Sequence, residues 1–583
     1  MARKKAEKYR DPRDFEGRKD DYIVQKVVDD VIASESYIEG KKDEWERYYQ
    51  LYRSYIKAEN KRTTGSNLSI PYIFSIVETI VPKIVMGMLK SRPFLVYKPV
   101  KVEDTEKAAK MTRLVDYQMT NKMSGTVKLT EVIKSCVIYG TAISKQPWKF
   151  EEKKFVKRKT QTVPNPDTGD LEEVEVEVLM QGVKYDAPDI ENITLEQFFV
   201  DPYGTTIDNS EYCGDKYFMP LHKLKTGEEQ GKYKNINKIS PGNEIQVATG
   251  ATERLSSIGK DDKPAKDAVE IIEYWTNDWK ILIANRTVCI QAEPNPYYHR
   301  EKPYTRWVDI PVPNEFYGIG DVEVSEMLQY EMNTVRNQRI DNTSFALNRM
   351  YKVLRSANIE PSQLISRPNG FIELDEMSDL EQLDITGAAG VGFDEEQAIK
   401  ADMNDVTGVH NQDRGAPTSR RETATTATIM NEGSTERFSF RVILLEDDAL
   451  AKMGMQLAWL NRQFVDTDTE IRVTGDNVGD TDKGVETVTP DDLDVDLDLV
   501  AVGSASDPSA NKEVRQNQLI QMLNVAANPI NAQYVNTPEL LKSVFLAFDL
   551  KDVDKYIQEP APVEPPQPEI PGGLAPQGGV PIG

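Results

Sequence analysis

The chain has 583 residues, and its 95 Asp and Glu outnumber 71 Lys and Arg for a formal charge of −24. That length holds several domains, and that charge balance excludes a surface built throughout as a basic groove, because tight grip on nucleic-acid phosphates needs paired cations. Three scattered cysteines, Cys136, Cys213 and Cys289, exclude a disulfide framework and fit a reducing cytosol.

The first residues, Met1, Ala2, Arg3, Lys4 and Lys5, are charged and lead into no apolar segment, so no signal peptide is expected. Residues 1–20 mix both charges and are expected to be a disordered arm. Residues 22–60 read as helix, with Val24, Val27, Val28, Val31 and Ile32 on one side. Its later half carries Trp45, Tyr48, Tyr49, Tyr52 and Tyr55 at helical spacing. These are read as packing residues, with base stacking as the alternative. Residues 61–66 form a loop containing Arg62, Thr63, Thr64 and Gly65. The apolar stretch 68–89 is interrupted by Glu78, Pro82 and Lys83 and reads as a buried pair of helices. No run is expected to reach the ~20 apolar residues of a bilayer span, so no membrane partner is expected. Two further helices fit 103–123 and 126–139.

At Gly140 the pattern turns extended, over 141–150 and 155–163. The turn-forming run 164–169 and the alternating Val174, Val176 and Val178 then complete a long hairpin. Short strands follow to residue 313, including 190–195 and 269–275, with a polar loop at 234–266. The turn Gly318, Ile319, Gly320 then leads to Asp321 as N-cap, with Glu323 in the first helical turn. Neither Gly nor Pro occurs from there to Leu354, which predicts one helix of about 34 residues, ~50 Å long. Its apolar residues gather at the ends: Val324, Met327, Leu328 and Met332, then Phe345, Leu347, Met350 and Tyr351. Residues 333–344 are polar except for Val335 and Ile340. A helix without a continuous apolar stripe bridges solvent or stands against copies of itself.

A small β insertion spans 352–393: a strand at Leu364, Ile365 and Ser366, a turn at Arg367, Pro368, Asn369 and Gly370, and a strand at Phe371, Ile372, Glu373 and Leu374. It is too small to hold its own core and needs a partner. A short helix at 394–409, a loop at 410–422 and a helix at 423–464 kinked at Gly433 and Ser434 follow. Strands are read at 470–473 and 494–502, and helices start at Asp507-Pro508 and at Thr537-Pro538. From Pro560 the chain is rich in Pro and Gly, and a disordered tail is expected.

Little in the chain supports catalysis. His222, His299 and His410 are its only histidines, and no HExxH, GxSxG or paired CxxC occurs. The nearest approach to a phosphate loop, 227–233, is one residue short, lacks the Ser or Thr that holds magnesium, and has acids where phosphate would sit. No cofactor is expected. The one enzymatic rival is a metal-dependent nuclease. Asp494, Asp496 and Asp498 alternate with Leu493, Val495 and Leu497, which would put three carboxylates on one strand face. The plainer reading is an edge strand with a charged outer face.

The order helix, β insertion, helix, loop and long kinked helix resembles the stem, clip, stem, tunnel loop and kinked helix of tailed-phage portal proteins of the podophage type. PNEFYGIGDVE (313–323), SRPNGFIEL (366–374) and RRETATTATIMNEG (420–433) look like that family's versions of these parts. The resemblance covers about 25–557. It implies an α+β portal fold: a wing at 21–317 with its β-rich part at 140–313, a stem helix at 318–351, a clip at 352–393, and a second stem helix at 394–409. A tunnel loop at 410–422, a kinked wing helix at 423–465, wing strands at 466–506, a helical crown at 507–557 and a tail at 558–583 complete it.

The resemblance also implies a dodecameric ring at one capsid vertex of the virion, assembled in the host cytoplasm. Such a ring is the channel for packaging and ejecting double-stranded DNA. It docks the terminase and then a head-completion or tail adaptor, meets the major capsid and scaffold proteins, and nucleates the procapsid. On this reading Gln412, Arg414, Thr418, Ser419, Arg420 and Arg421 touch passing phosphates without reading sequence. Leu364, Ile365, Arg367, Phe371, Ile372 and Leu374 form the clip interface, and Gly433 is the helix kink. A tail adaptor or an ejection protein is the remaining structural alternative.

Overall fold

The structure is a computed structural model. It describes residues 11, 13–89, 93–164, 171–239, 268–347, 350–355, 359–364, 372–374, 376–383, 391–410, 414, 436–472, 485–501, 512–526, 540–541 and 544–545. The chain forms two compact units, Met1–Ser506 and Asp507–Gly583. Within the second, the described part is the helix Lys512–Ala526 and two helical fragments at 540–541 and 544–545.

The first unit is α+β, with antiparallel sheets among packed helices. Helix α1 (Asp20–Tyr52) buries Ile23, Val27, Val31, Ile38, Trp45 and Tyr48, one face at helical spacing. Its aromatics are packing residues. Trp45 lies 5.3 Å from the Tyr317 ring, edge to face. Ile32, assigned to the same side by the sequence, is half exposed. Phe15, within the stretch expected to be disordered, is buried edge-on to Tyr274 and Trp279.

Helix α2 (Tyr72–Leu89) is a single helix, not a pair, with Pro82 inside it. By length and composition it could cross a membrane, contrary to the sequence expectation. Eight of its side chains, from Ile73 to Met88, are instead buried in the protein's own core. An interior proline costs about 3 kcal/mol. Each of those eight side chains gains roughly 1.5–3 kcal/mol on burial, so packing outweighs the proline. Helices α3 (Thr105–Tyr117) and α4 (Gly125–Tyr139) complete the helical part, joined by a π-helical turn at Gln118–Lys122.

The β part opens with β2 (Thr141–Lys145), after a short β1 (Leu95–Pro99). The hairpin of β3 (Trp148–Pro164) and β4 (Leu171–Pro188) forms as the alternation predicts, with a bulge at Glu151/Glu152. A three-stranded sheet takes β11 (Tyr304–Val308), β2 and β5 (Glu191–Ile193) in that order. A five-stranded sheet takes β10 (Val288–Pro294), β9 (Trp279–Ala284), β8 (Ala268–Trp275), β7 (Cys213–Pro220) and β6 (Phe198–Val200). One buried cation ties the two sheets together. Lys145 Nζ on β2 lies 2.8 Å from Asp215 on β7 and 2.9 Å from Glu273 on β8. The Tyr304 hydroxyl also donates to Asp215. Removing one partner of such a cluster leaves a buried charge unpaired, at about 3–5 kcal/mol.

The long helix α5 (Asp321–Leu347) has 27 residues, about 40 Å. It stops short of Leu354 because Met350–Val353 pairs as a strand with Leu380–Leu383. That pairing overrides helix propensity, which is only a weak prior. The polar middle of α5 is not left for a neighbour. Gln329, Asn333, Asn337 and Asp341, one every fourth residue, hold the backbone of segment 66–73, the extended run 66–71 and the first residues of α2. The Ser66 N–H donates to Asp341 (2.7 Å), and Leu68 both donates to and accepts from the Asn337 amide (2.8 and 2.9 Å). The Ile70 N–H donates to Asn333 (3.0 Å), its carbonyl accepts from Gln329 (3.0 Å), and the Ile73 N–H donates to Gln329 (3.3 Å). Four helical residues rise about 6 Å and two extended residues about 6.6 Å. The two periods match, so one polar stripe grips alternate residues of a strand-like segment.

Helix α6 (Val391–Thr407) runs back along α5. At their seam the buried Glu396 draws in Arg336 (3.0 Å), Arg339 (2.7 Å) and Lys400 (2.8 Å). A third long helix, α7, covers 436–464 and contains a π-helical turn at Glu446–Leu450. The unit closes on two strand pairs. Thr469–Arg472 pairs with Val485–Val488, and β1 pairs with Leu497–Ala501.

Replacing Asn337 with Ala strips both partners from Leu68 and costs about 1–3 kcal/mol. We predict at least tenfold faster hydrogen exchange at the Leu68 and Ile70 amides, with the hairpin β3–β4 unchanged. Unchanged exchange at Leu68 would show that the stripe does not hold the segment.

Candidate functional site

The long helices meet at a joint built from glycines. Gly140 ends α4 with φ +80°, and a Cβ on it would lie 2.2 Å from the Gly318 carbonyl oxygen. A Cβ on Gly320 would lie 2.6 Å from Gly140 N. The Asp309 N–H donates to the Gly140 carbonyl (3.1 Å), and Ile310 bridges to Ile319. The expected turn at 318–320 is therefore also a contact between two backbones, which permits no side chain.

Inside this joint sit three charged side chains from three elements. Arg441 of α7 donates both guanidinium ends to Asp321 at the start of α5, each at 2.9 Å. The same Nη2 lies 3.4 Å from Asp309, just past β11. Asp309 and Asp321 are buried, and neither oxygen of Asp309 accepts a hydrogen bond. Burial, then the neighbouring Asp321, pushes the Asp309 carboxyl well above the usual range, and Arg441 only partly opposes this. One turn along α7, burial raises Glu446 to about 7 at the π-helical turn, a geometry frequent at functional sites.

Of the loop residues the sequence singled out, Arg414 is described, whereas Gln412, Thr418, Ser419, Arg420 and Arg421 lie outside the described residues, as does Gly433. Arg414 is held against two side chains of its own chain. Its guanidinium stacks 4.4 Å over the Tyr72 ring and donates to Asn404 (3.1 Å). Tyr72 donates to the same Asn404 oxygen (2.8 Å). Asn404 lies ten residues before Arg414, but Tyr72 is more than 300 positions away, so the site that Tyr72 completes forms only in the fold.

In the β insertion, Leu364 ends a 3-10 turn, Pro361–Leu364, and does not lie in a strand. Ile372 and Leu374 are half-buried in irregular backbone. Ile365, Arg367 and Phe371 lie outside the described residues. The pairing among the described residues joins Met350–Val353 to Leu380–Leu383, on either side of the expected strands at 364–366 and 371–374.

The aspartate cluster does not assemble. Asp494 follows the short helix Pro490–Leu493, Asp496 precedes the last strand, and only Asp498 lies within it. Arg462 takes the first two, at 2.5 Å from Asp494 and 3.6 Å from Asp496. Asp492 instead caps its own helix through Thr489 and accepts from Lys110 (2.9 Å). Among the described residues, no group of three His, Cys, Asp or Glu side chains could hold a metal ion. The other candidate chemistry is also accounted for by packing. His299 stacks between Tyr297 and Trp459, and burial lowers it to about 4, so it is neutral at pH 7. Gly227 is helical, and a Cβ there would strike the Tyr233 ring at 2.4 Å. Cys136, Cys213 and Cys289 are buried thiols.

With one stripe on segment 66–73 and another on α6, the outward stripe of α5 carries Val324, Met327 and Tyr330, at 38, 75 and 43% exposure. Met327 and Leu328 had read alike, as apolar ends of one helix; burial separates them.

The sequence model of one protein family, described as phage SU10 portal protein, matches residues 23–571. A comparison with curated proteins finds no match.

The pairing of Asp494 and Asp496 with Arg462 predicts that changing Asp494, Asp496 and Asp498 to Asn alters no divalent-cation binding. Calorimetric titration with Mg²⁺ or Mn²⁺ should give the same trace for wild type and triple variant. Site-specific heat that the variant loses would restore the metal reading.

Proposed function

We propose that this chain, which belongs to the phage SU10 portal protein family, closes with copies of itself into a ring at one capsid vertex, around the channel for viral DNA. The match over 23–571 carries this reading. The family is structural, so the work lies in shape and contacts rather than in a reaction.

In this reading α5 stands in the ring wall. Its polar middle is filled by segment 66–73, so what remains for a neighbouring copy is the outward stripe of Val324, Met327 and Tyr330. Ring closure buries surfaces that a single chain exposes. Subunits of charge −24 repel one another, and salt screens that repulsion over about 10 Å at 0.1 M. The same acidity gives DNA little to adhere to, which suits a passage more than a clamp.

Arg414 serves as the anchor of the channel loop, while Gln412, Thr418, Ser419, Arg420 and Arg421 are the residues proposed to touch phosphates. The insertion 352–393 is the proposed dock for the terminase during packaging and for a head-completion or tail adaptor afterwards. Contacts with capsid and scaffold proteins would let the ring nucleate a procapsid.

Met327→Glu puts a charge on the most exposed apolar residue of the α5 stripe without touching the core. Native mass spectrometry should show wild type as a closed oligomer and the variant with its assembled fraction at least tenfold lower, while circular dichroism is unchanged. Full assembly by the variant would remove this stripe from the interface.

A further inference from the structure

The joint at Gly140 and Gly318 holds more negative charge than it can neutralise. Two carboxyl groups, Asp309 and Asp321, share one guanidinium, and both are buried. Arg441 spends its two hydrogen-bonding ends on Asp321 at 2.9 Å. Its contact with Asp309 is a 3.4 Å ion pair without a hydrogen bond, so the Asp309 carboxyl faces that one longer contact and the neighbouring Asp321 carboxyl. The remaining ionisable groups on the elements packed here do not make up the deficit. Cys136 on α4 is a buried thiol held neutral by burial and the two nearby acids. Arg306 on β11 donates to the carbonyls of Thr205 (2.7 Å) and Phe316 (3.0 Å) and lies 3.9 Å from Asp448. Glu446 on α7 adds another acid. An unpaired buried carboxylate is costly, and taking up a proton removes that cost.

We propose that Asp309 keeps a proton facing the Asp321 carboxylate, and that this proton is a latch setting how tightly the root of α5 is tied to α7. With the proton on, one negative charge faces Arg441, and Asp309 can donate to the Asp321 carboxylate. With the proton off, two carboxylates meet at one Nη2, and their repulsion acts between the ends of β11 and α5, the two segments that the Ile310–Ile319 bridge holds together. The latch is tight at low pH and loosens as pH rises. The sign follows from linkage. Folded chains keep this proton over a range in which unfolded chains release it. Stability from this group therefore falls as pH climbs from the ordinary carboxyl range to the higher folded value of Asp309, by up to tenfold in the folding equilibrium per pH unit, and is level above that. This inference rests on the joint's geometry and not on the portal reading.

The test is hydrogen exchange on the full chain at pH 6 and pH 8, corrected for the intrinsic rate, over the amides of 319–326. In wild type we expect protection there to drop at least tenfold between the two pH values, while β3–β4 holds steady. Asp309→Asn cannot ionise, and its amide can donate to Asp321, so protection should stay level in pH and exceed wild type at pH 8. Asp321→Asn leaves one acid for one guanidinium, so it should also abolish the pH dependence. Equal corrected protection of wild type at both pH values overturns the proposal. So does a pH-dependent loss that either variant retains. Should Asp309→Asn fail to fold, Asp321→Asn and the wild-type comparison decide.

Discussion

The structure depends on two stretches of backbone passing within contact distance at Gly140, Gly318 and Gly320. A methyl group at position 140 would need to sit 2.2 Å from the Gly318 oxygen, and one at 320 only 2.6 Å from Gly140 N. Because no side chain intervenes, the end of α4, the exit of β11 and the start of α5 converge at one point. Arg441 then brings in α7. The β-rich part, α5 and α7 are thereby tied to a single centre.

From that root α5 presents three stripes, besides its contact with α1 through Glu326 and Arg47 (3.1 Å). One stripe of amides and a carboxylate grips segment 66–73 by its backbone. A second seam packs on α6 around Glu396 and its three cations. The third faces outward, apolar near the root and polar farther along. Helical polarity was read from the sequence as a sign that copies stand side by side. The structure assigns that polarity to the chain's own segment 66–73. The case for self-association rests instead on family membership and on the outward stripe near the root.

The sequence was most legible where a local period met no competitor. The apolar steps of α1, the alternation of β3–β4 and the turn at 318–320 each form as their patterns require. It was least legible where a distant partner settles the outcome. The end of α5 is fixed by strand pairing across an insertion of about 30 residues, and no Gly or Pro marks it. Pro82 suggested a break, yet eight buried neighbours keep one helix intact. Asp494 and Asp496 looked like ligands because alternation places residues on a face but cannot show that Arg462 is waiting there. Arg414 reads as a mobile cation for the same reason: the Tyr72 ring it stacks on is remote in sequence. The order of parts along the chain carried the family identification without any of these details.

The central claim is that the chain completes its structure only among copies of itself around a hole. Electron microscopy of the purified wild-type protein tests it most directly. The account predicts closed rings with a central channel, with the outward stripe of α5 buried between adjacent subunits. Single compact particles in every buffer, with Val324, Met327 and Tyr330 still facing water, would contradict it.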